Sequence, residues 1–357
     1  MFATLTTSRA ASTGLSKSVG LSQLRRSSIA AEIARLTEEI SQEVQPDLLA
    51  SLASKAILKY LTDETRTAIH RFTASNSPFL LIKGAIDTTG LPPTPNDDTS
   101  PNESAWRLQA ATMLGFLKLC DANARSFKDE MGGRLFHMVM PAQNDLKSKL
   151  RSTKALNFHT EVVNGFFREE NPEIGAPIAP EKFALACLRN PHSVPTTVLP
   201  LAEVLARLST DSKRVLQQPS FVAKSQSSFD RDIVIHEVPA LVRLNSGALA
   251  LRYSSSKLAA NCPASAAALS ELQMVIGSFD SSWSIALEPG DILILNNQQC
   301  LHGRGEVASS SQFDGADRWL LRLYGYHDVT LPLLSSDSRR PHVMLVDKSD
   351  YPIQISA

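Results

Sequence analysis

The sequence lacks the features that identify several large protein classes. Its 357 residues include only four cysteines, with no C-x-x-C pair, which argues against a zinc finger, a thioredoxin-type motif or a disulfide scaffold. No apolar run reaches the ~20 residues of a membrane span. Lys plus Arg and Asp plus Glu both total 36, so the basic excess typical of nucleic-acid binders is missing. We expect a cytoplasmic protein whose partner is a small molecule, not a nucleic acid or a membrane.

The first part of the chain also lacks acidic residues. From Met1 to Ala31 there is no Asp or Glu, whereas Ser, Thr, Arg and Lys are common. This composition occurs in organelle-targeting segments, but it favours a solvated, disordered extension. We expect residues 1–28 to be one of these two and residues 29–357 to form a single domain. An organelle location therefore stays open beside the cytoplasmic one.

The hydrophobic pattern changes along the domain. Helical spacing marks residues 29–40, 50–72 and 104–117. Beyond residue 135 most apolar runs are short and end at Gly, Pro or Asn, as strands do, and residues 264–276 form the one clear late helix. Strands that follow helices, with one helix inserted, favour a mainly β fold with flanking helices, either a sandwich or a barrel.

His159-Thr160-Glu161 is the first candidate for a metal site. On a strand, residues two apart point to the same face, and this imidazole and carboxylate would converge on one point. They would supply half of the 2-His-1-carboxylate triad that binds Fe(II) in non-haem oxygenases. Because so short a motif also arises by chance, it indicates iron only together with a third ligand.

The distal half of the chain supplies that ligand and two cations. A buried-strand run at residues 291–295 leads to His302, and Arg318 and Arg322 follow four residues apart. Three protein ligands leave open metal positions for a chelating 2-oxo acid and for O₂. The planar fork of Arg318 suits the far carboxylate of such an acid. Arg322 suggests a second carboxylate, on the substrate, although a surface salt-bridge role explains either arginine taken singly.

At these residues the sequence resembles the clavaminate synthase-like branch of the taurine dioxygenase superfamily, which includes β-hydroxylases of free arginine and asparagine. The resemblance extends from about residue 79 onward. It is carried by segments in a shared order: residues 91–95, 133–135, 139–141, 156–161, 186–189, 290–295, 302–304, 313–315 and 317–320.

The resemblance implies a double-stranded β-helix, the cupin-like jelly roll. It also implies that His159, Glu161 and His302 bind Fe(II) and that Arg318 grips 2-oxoglutarate. A threonine usually assists this arginine, and here Thr196 and Thr197 both fit the position. Arg322 matches a position that in relatives binds the carboxylate of an amino-acid substrate.

One stretch departs from the family pattern. Where amino-acid hydroxylases often carry acidic residues that meet the substrate side chain, this chain has Ser254 and Ser256. Serine cannot pair a guanidinium or an ammonium as a carboxylate does, so we expect a neutral or larger polar substrate rather than arginine or lysine. Ser152, upstream of the H-T-E motif, is a further candidate to line the pocket.

Three functions follow as hypotheses. The first is hydroxylation of an unactivated C–H bond in an amino acid or its derivative, coupled to conversion of 2-oxoglutarate and O₂ to succinate and CO₂. The second is desaturation or cyclisation with the same cofactors in natural-product biosynthesis. The third is a non-catalytic jelly-roll protein that binds a metal or ligand. A substrate tethered to a carrier protein stays open beside a free one.

Overall fold

The computed structural model describes residues 17–95, 102–141, 155–279, 284–307 and 314–351. Ser152 lies outside these ranges. Within them the seven α-helices are α1 (Gln23–Thr37), α2 (Pro46–Tyr60), α3 (Asp63–Ala74), α4 (Arg107–Leu119), α5 (Leu201–Arg207), α6 (Thr210–Leu216) and α7 (Pro263–Gly277).

The strands of the same ranges number nineteen. In chain order they are β1 (Lys17–Gly20), β2 (Phe79–Lys83), β3 (Asn123–Phe127), β4 (His137–Val139), β5 (Leu156–His159), β6 (Lys182–Arg189), β7 (Thr196–Pro200), β8 (Phe221–Lys224), β9 (Val234–Val238), β10 (Leu241–Arg243), β11 (Leu249–Leu251), β12 (Leu258–Ala260), β13 (Ser284–Ile285), β14 (Ile292–Asn296), β15 (Cys300–Arg304), β16 (Trp319–Tyr326), β17 (Ser335–Ser336), β18 (Val343–Leu345) and β19 (Asp350–Tyr351).

Two sheets frame the interior. The larger has the order β1-β2-β14-β6-β16-β3-β18-β17, with β4 also paired to β16, and the smaller has the order β13-β7-β15-β5. Strands β12-β8-β9-β19 form a further sheet, and β10 pairs with β11. The predicted combination of sheets with flanking helices is confirmed.

The large sheet separates two apolar cores because its strands are buried on both faces. In β14, Ile292 and Ile294 pack into the core shared with helices α1 to α4. Leu293 and Leu295 point the other way, into the core shared with the smaller sheets. This alternation follows from the two-residue period of a strand. It leaves one face of the large sheet to the helices and the other to the candidate site.

The segment 50–72, predicted as one helix, forms two. Helix α2 ends at Tyr60, Leu61 is extended, and the hydroxyl of Thr62 accepts a hydrogen bond from the Thr65 amide at 3.1 Å. This is an N-cap, which satisfies a free amide at the start of α3. The apolar spacing continued across the break, so periodicity alone missed the cap.

Residues 17–28, assigned by composition to the N-terminal extension, contain regular structure. Strand β1 pairs in parallel with β2, Val19 and Leu21 are buried, and Ser22 caps α1. The folded part thus begins before residue 29. No helix of the described ranges is long and apolar enough to cross a lipid bilayer.

A buried carboxyl group lies where β6 begins. The Glu181 carboxylate accepts hydrogen bonds from the Thr330 hydroxyl and from the His327 amide. Burial outweighs these contacts and raises the pKa of Glu181 to about 7. Between an unfolded pKa near 4.5 and this value, the folded chain keeps a proton that the unfolded chain releases, and stability falls as pH rises.

We predict that Glu181→Gln flattens this part of the pH dependence. The native protein should lose up to about 1.4 kcal/mol of unfolding free energy per pH unit through this carboxyl, with the loss complete just above pH 7. The neutral amide cannot contribute this slope. Urea unfolding at several pH values between 4.5 and 8 measures it, and Glu39→Gln, at an exposed position, is the control. Parallel profiles for all three proteins would contradict the prediction.

Candidate metal centre and pocket

A cavity of about 410 Å³ lies between the large sheet and the β13-β7-β15-β5 sheet. Strands β4, β6 and β16 contribute side chains from the large sheet, and β5, β7 and β15 contribute them from the smaller one. Residues 224–228 and 254–257 complete the wall. Most of the predicted site residues that the structure describes line this cavity: His159, Glu161, Thr196, Ser254, Ser256, His302, Arg318 and Arg322.

Strand pairing brings the two histidines together. Strands β5 and β15 run antiparallel, and His159 lies directly opposite His302. The ring centroids are 4.4 Å apart. Candidate ligand atoms of both histidines and of Glu161 all lie within 4.8 Å of one another. The structure thus places the three predicted ligands at one point, although 143 residues of sequence separate His159 from His302.

Glu161 reaches this point from outside the strand. Strand β5 ends at His159, and Val162 has a positive φ of 52°. Asn297, just after β14, fixes the turn: its side-chain oxygen accepts from the Glu161 amide at 2.8 Å, and its side-chain nitrogen donates to the Glu161 carbonyl at 3.2 Å. The carboxylate is therefore positioned by an asparagine from another sheet rather than by the two-residue period of a strand.

The rings of the two histidines suit metal binding. The backbone carbonyl of Asn157 lies 2.8 Å from His159 Nδ1. Because a carbonyl only accepts, Nδ1 is the donor in this contact, and Nε2 is the ring atom left for a metal. Burial, with His159 adding to it, lowers the pKa of His302 to about 4. Since a neutral imidazole is the form that binds a metal, burial favours His302 as a ligand.

The two oxygens of Glu161 have different neighbours. Oε1 lies 3.1 Å from His302 Nε2 and 3.8 Å from His159 Nε2. Oε2 accepts from Gln226 at 3.0 Å and lies 3.3 Å from Arg322 Nη1. Burial raises the pKa of Glu161, but Arg322 and the histidines outweigh it and hold the pKa well below its usual value. Two imidazoles and one ionised carboxylate are the ligand set that fits Fe(II).

Arg322 also pairs with a second buried carboxylate. Its Nη2 lies 2.8 Å from Glu130 Oε1 and contacts His137 Nδ1. Ser228 donates to the same Glu130 oxygen at 2.6 Å, and the Tyr324 hydroxyl lies 3.2 Å from it. The other Glu130 oxygen has no hydrogen-bond partner among the described residues. Arg322 therefore lies between the metal-side carboxylate and a buried acid that the sequence analysis did not single out.

A second cationic region surrounds Arg318. This residue immediately precedes β16 and is buried, and its Nε has no acceptor within the described ranges. Burial and the nearby Arg304 guanidinium lower the pKa of Arg318 to about 10. Thr196 lies opposite Arg304 in the sheet and lines the cavity, whereas Thr197 is not among the lining residues. The buried Nε of Arg318, beside the Arg304 guanidinium and without an acceptor in the described ranges, fits the distal carboxylate of 2-oxoglutarate.

The serine wall adjoins the metal ligands. Ser254 forms a β-bridge with His159, and its hydroxyl lies 3.5 Å from that of Ser256. The Thr160 amide donates to the Tyr253 carbonyl at 2.9 Å, which holds this wall against the H-T-E segment. Both predicted serines therefore line the cavity beside the candidate metal centre.

Several residues of the site escaped the sequence analysis. They are Glu130, His137, Gln226, Asn297 and Tyr324, which supply buried contacts to Glu161 or Arg322. Only Tyr324 had a usable signal, since it lies two residues after Arg322 on one strand and shares its face. The others come from loops or from strands distant in sequence.

Comparisons with known proteins agree with this geometry. The family model "Taurine catabolism dioxygenase TauD, TfdA family" matches residues 175–324. L-lysine 3-hydroxylase of Catenulispora acidiphila is 26% identical over 264 residues, which cover 70% of this chain and 67% of the relative. Clavaminate synthase 2 of Streptomyces clavuligerus is 25% identical over 311 residues, covering 82% and 88%.

A solved structure has the same fold. Asparagine oxygenase in complex with Fe(II), 2S,3S-3-hydroxyasparagine and succinate superposes with a TM-score of 0.74 and 23% identity, covering 92% of this chain and 99% of that one.

We predict that Asn297→Ala weakens metal binding without removing a ligand. The alanine cannot hold the Glu161 backbone, and loss of such outer contacts typically lowers metal affinity about 10- to 100-fold. Titration with Co(II), followed by its absorption, measures the change. Asn261→Ala, at an exposed position, is the control. Native affinity in a folded Asn297→Ala protein would refute the positioning role.

Proposed function

We propose that this chain, whose residues 175–324 match the TauD, TfdA family model, is an Fe(II)- and 2-oxoglutarate-dependent hydroxylase of an amino acid or amino-acid derivative. The observation that carries the proposal is the meeting of His159, Glu161 and His302 in one cavity with the buried Arg318. The chemistry that Fe(II) supplies in such a site is activation of O₂, coupled to conversion of 2-oxoglutarate to succinate and CO₂.

The chain's own residues divide the remaining tasks. His159, Glu161 and His302 would hold the metal. Arg318 binds and orients the distal carboxylate of 2-oxoglutarate through charge-assisted hydrogen bonds, and Thr196 lines the same cavity. The apolar side chains of Val139, Phe183 and Leu185 also line the cavity, and they exclude water and strengthen these charge interactions.

We assign the α-carboxylate and α-amino groups of the substrate, its amino-acid head, to the part of the cavity at Arg322. Arg322 lines the cavity and offers a guanidinium to the carboxylate of an amino acid. Glu130 is fully buried behind Arg322 and does not line the cavity, so its role is to hold this guanidinium in place. The relatives named as lysine hydroxylase and asparagine oxygenase act on amino acids, which supports a free amino acid here and leaves a carrier-tethered one as the alternative.

We further infer that the two sheets around the cavity form a double-stranded β-helix. The likeness to asparagine oxygenase over 92% of the chain supports this reading. So does the arrangement of the ligands, since metal-binding side chains come from facing positions of β5 and β15. Desaturation or cyclisation depends on substrate placement over the same ligands and stays the second candidate; product mass distinguishes a gain of one oxygen from a loss of two hydrogens.

We predict that His302→Ala abolishes succinate release from 2-oxoglutarate in the presence of Fe(II), O₂ and a panel of amino acids. The variant loses one of three ligands, and the cavity retains its arginines. Liquid chromatography with mass detection measures succinate and product together. Succinate release at the native rate would refute the ligand assignment, and no release by the native protein would favour the non-catalytic binding role.

We predict that substitution of the two arginines raises the KM values of different substrates. Arg318→Lys should raise the KM for 2-oxoglutarate at least about tenfold, because an ammonium cannot form the bidentate pair, with a smaller change in the KM for the amino acid. Arg322→Lys should raise the amino-acid KM more. Steady-state rates with each substrate varied in turn measure both. Equal effects of each variant on both constants would contradict the assignment.

A further inference from the structure

Two lysines lie on the cavity wall next to the serines. Lys224 ends strand β8 and Lys257 precedes β12, and the Lys224 amide donates to the Lys257 carbonyl at 2.9 Å. Both residues line the cavity. Lys224 is exposed and Lys257 is half-buried. They therefore lie side by side on the part of the wall that meets solvent.

This wall connects the lysines to the reacting end of the cavity. Ser254 is bridged to the metal ligand His159, and Lys257 follows it by three residues, with its amide donating to the Ser254 carbonyl at 3.3 Å. On the neighbouring segment, Ser228 donates to Glu130 and lies four residues beyond Lys224. A substrate whose carboxylate lies at Arg322 thus shares one pocket with the two lysines and with the serine wall.

Positive charge exceeds negative charge among the residues that line the pocket. The described lining residues include one acidic residue, Glu161, and five basic residues: Lys224, Lys257, Arg304, Arg318 and Arg322. Arg322 already pairs with Glu161 and Glu130. In the part of the chain that the structure describes, neither lysine forms an ion pair with a carboxylate. The two lysines are the charges that the proposed cofactors and the amino-acid head leave unmatched.

We propose that the substrate is an L-amino acid whose side chain ends in an anion, held by Lys224 and Lys257 with the hydroxyls of Ser254 and Ser256. This inference rests on the proposed function and narrows its substrate class. A lysine or arginine side chain would bring a like charge toward two ammonium groups, and residues 224–228 and 254–257 contain no carboxylate to receive it. Such like-charge contacts disfavour a wrong ligand.

The experiment compares matched side chains. L-glutamate, L-aspartate and L-2-aminoadipate are tested against L-glutamine, L-asparagine, L-lysine and L-arginine, and O-phospho-L-serine tests a phosphate in place of a carboxylate. We expect succinate release and a hydroxylated product with at least one acidic amino acid, at a kcat/KM at least tenfold above that of its neutral amide. Binding to the Ni(II)-loaded protein with 2-oxoglutarate, measured calorimetrically, should weaken as salt concentration rises.

Variants of the wall provide the second arm. Lys224→Gln with Lys257→Gln should raise the KM for the acidic amino acid at least tenfold while the KM for 2-oxoglutarate stays within about twofold. The charge reversal Lys224→Glu with Lys257→Glu should shift preference toward L-lysine or L-arginine. Lys55→Gln, an exposed lysine on α2, is the matched control and should behave as the native protein does.

The outcomes distinguish failure of the proposed anionic substrate from failure of the proposed hydroxylase function. Turnover of a neutral or basic amino acid in preference to every acidic one overturns the anionic side chain and leaves the hydroxylase intact. Unchanged KM values in the double glutamine variant overturn the role of the lysines. Absence of succinate with every amino acid, in protein shown to bind Fe(II), overturns the proposed function itself.

Discussion

The guanidinium of Arg322, shared between two buried carboxylates, is the interaction on which the rest of the site depends. It lies 3.3 Å from Glu161 and 2.8 Å from Glu130. Without this cation two acids would face one another in a buried space, and one would take up a proton. With it, Glu161 stays ionised and can serve as a metal ligand. The residue that we assign to the substrate thus also sets the charge at the metal, so the two parts of the pocket form one electrostatic unit.

The two-residue period of the strands places these charged side chains in the pocket. Along β16, Arg322 and Tyr324 point into the site, while Leu321 and Leu323 pack toward the helices. The same alternation puts His302 of β15 opposite His159 of β5. Because the large sheet is buried on both faces, a slip of one residue would place an arginine among apolar side chains. Core packing therefore specifies the register, and the register places the charges.

These contrasts explain what the sequence could and could not predict. Short motifs and the two-residue period of a strand were enough to predict four site residues: His159, His302, Arg318 and Arg322. Glu161 was predicted for a partly wrong reason, since its strand ends two residues earlier and Asn297 completes the placement. No sequence pattern predicted the roles of Glu130, His137 and Gln226. Single polar residues in loops or short strands acquire a role only through long-range packing. The choice between Thr196 and Thr197 likewise needed the strand pairing.

The short N-terminal strand has a consequence for how the large sheet ends. Strand β1 covers β2, which would otherwise be the last strand of that sheet on this side. The four residues Phe79, Leu80, Leu81 and Ile82 make most of β2 apolar. Its free amides and carbonyls would then be a template for another chain. Strand β1 thus protects this edge of the sheet from self-association by backbone pairing alone.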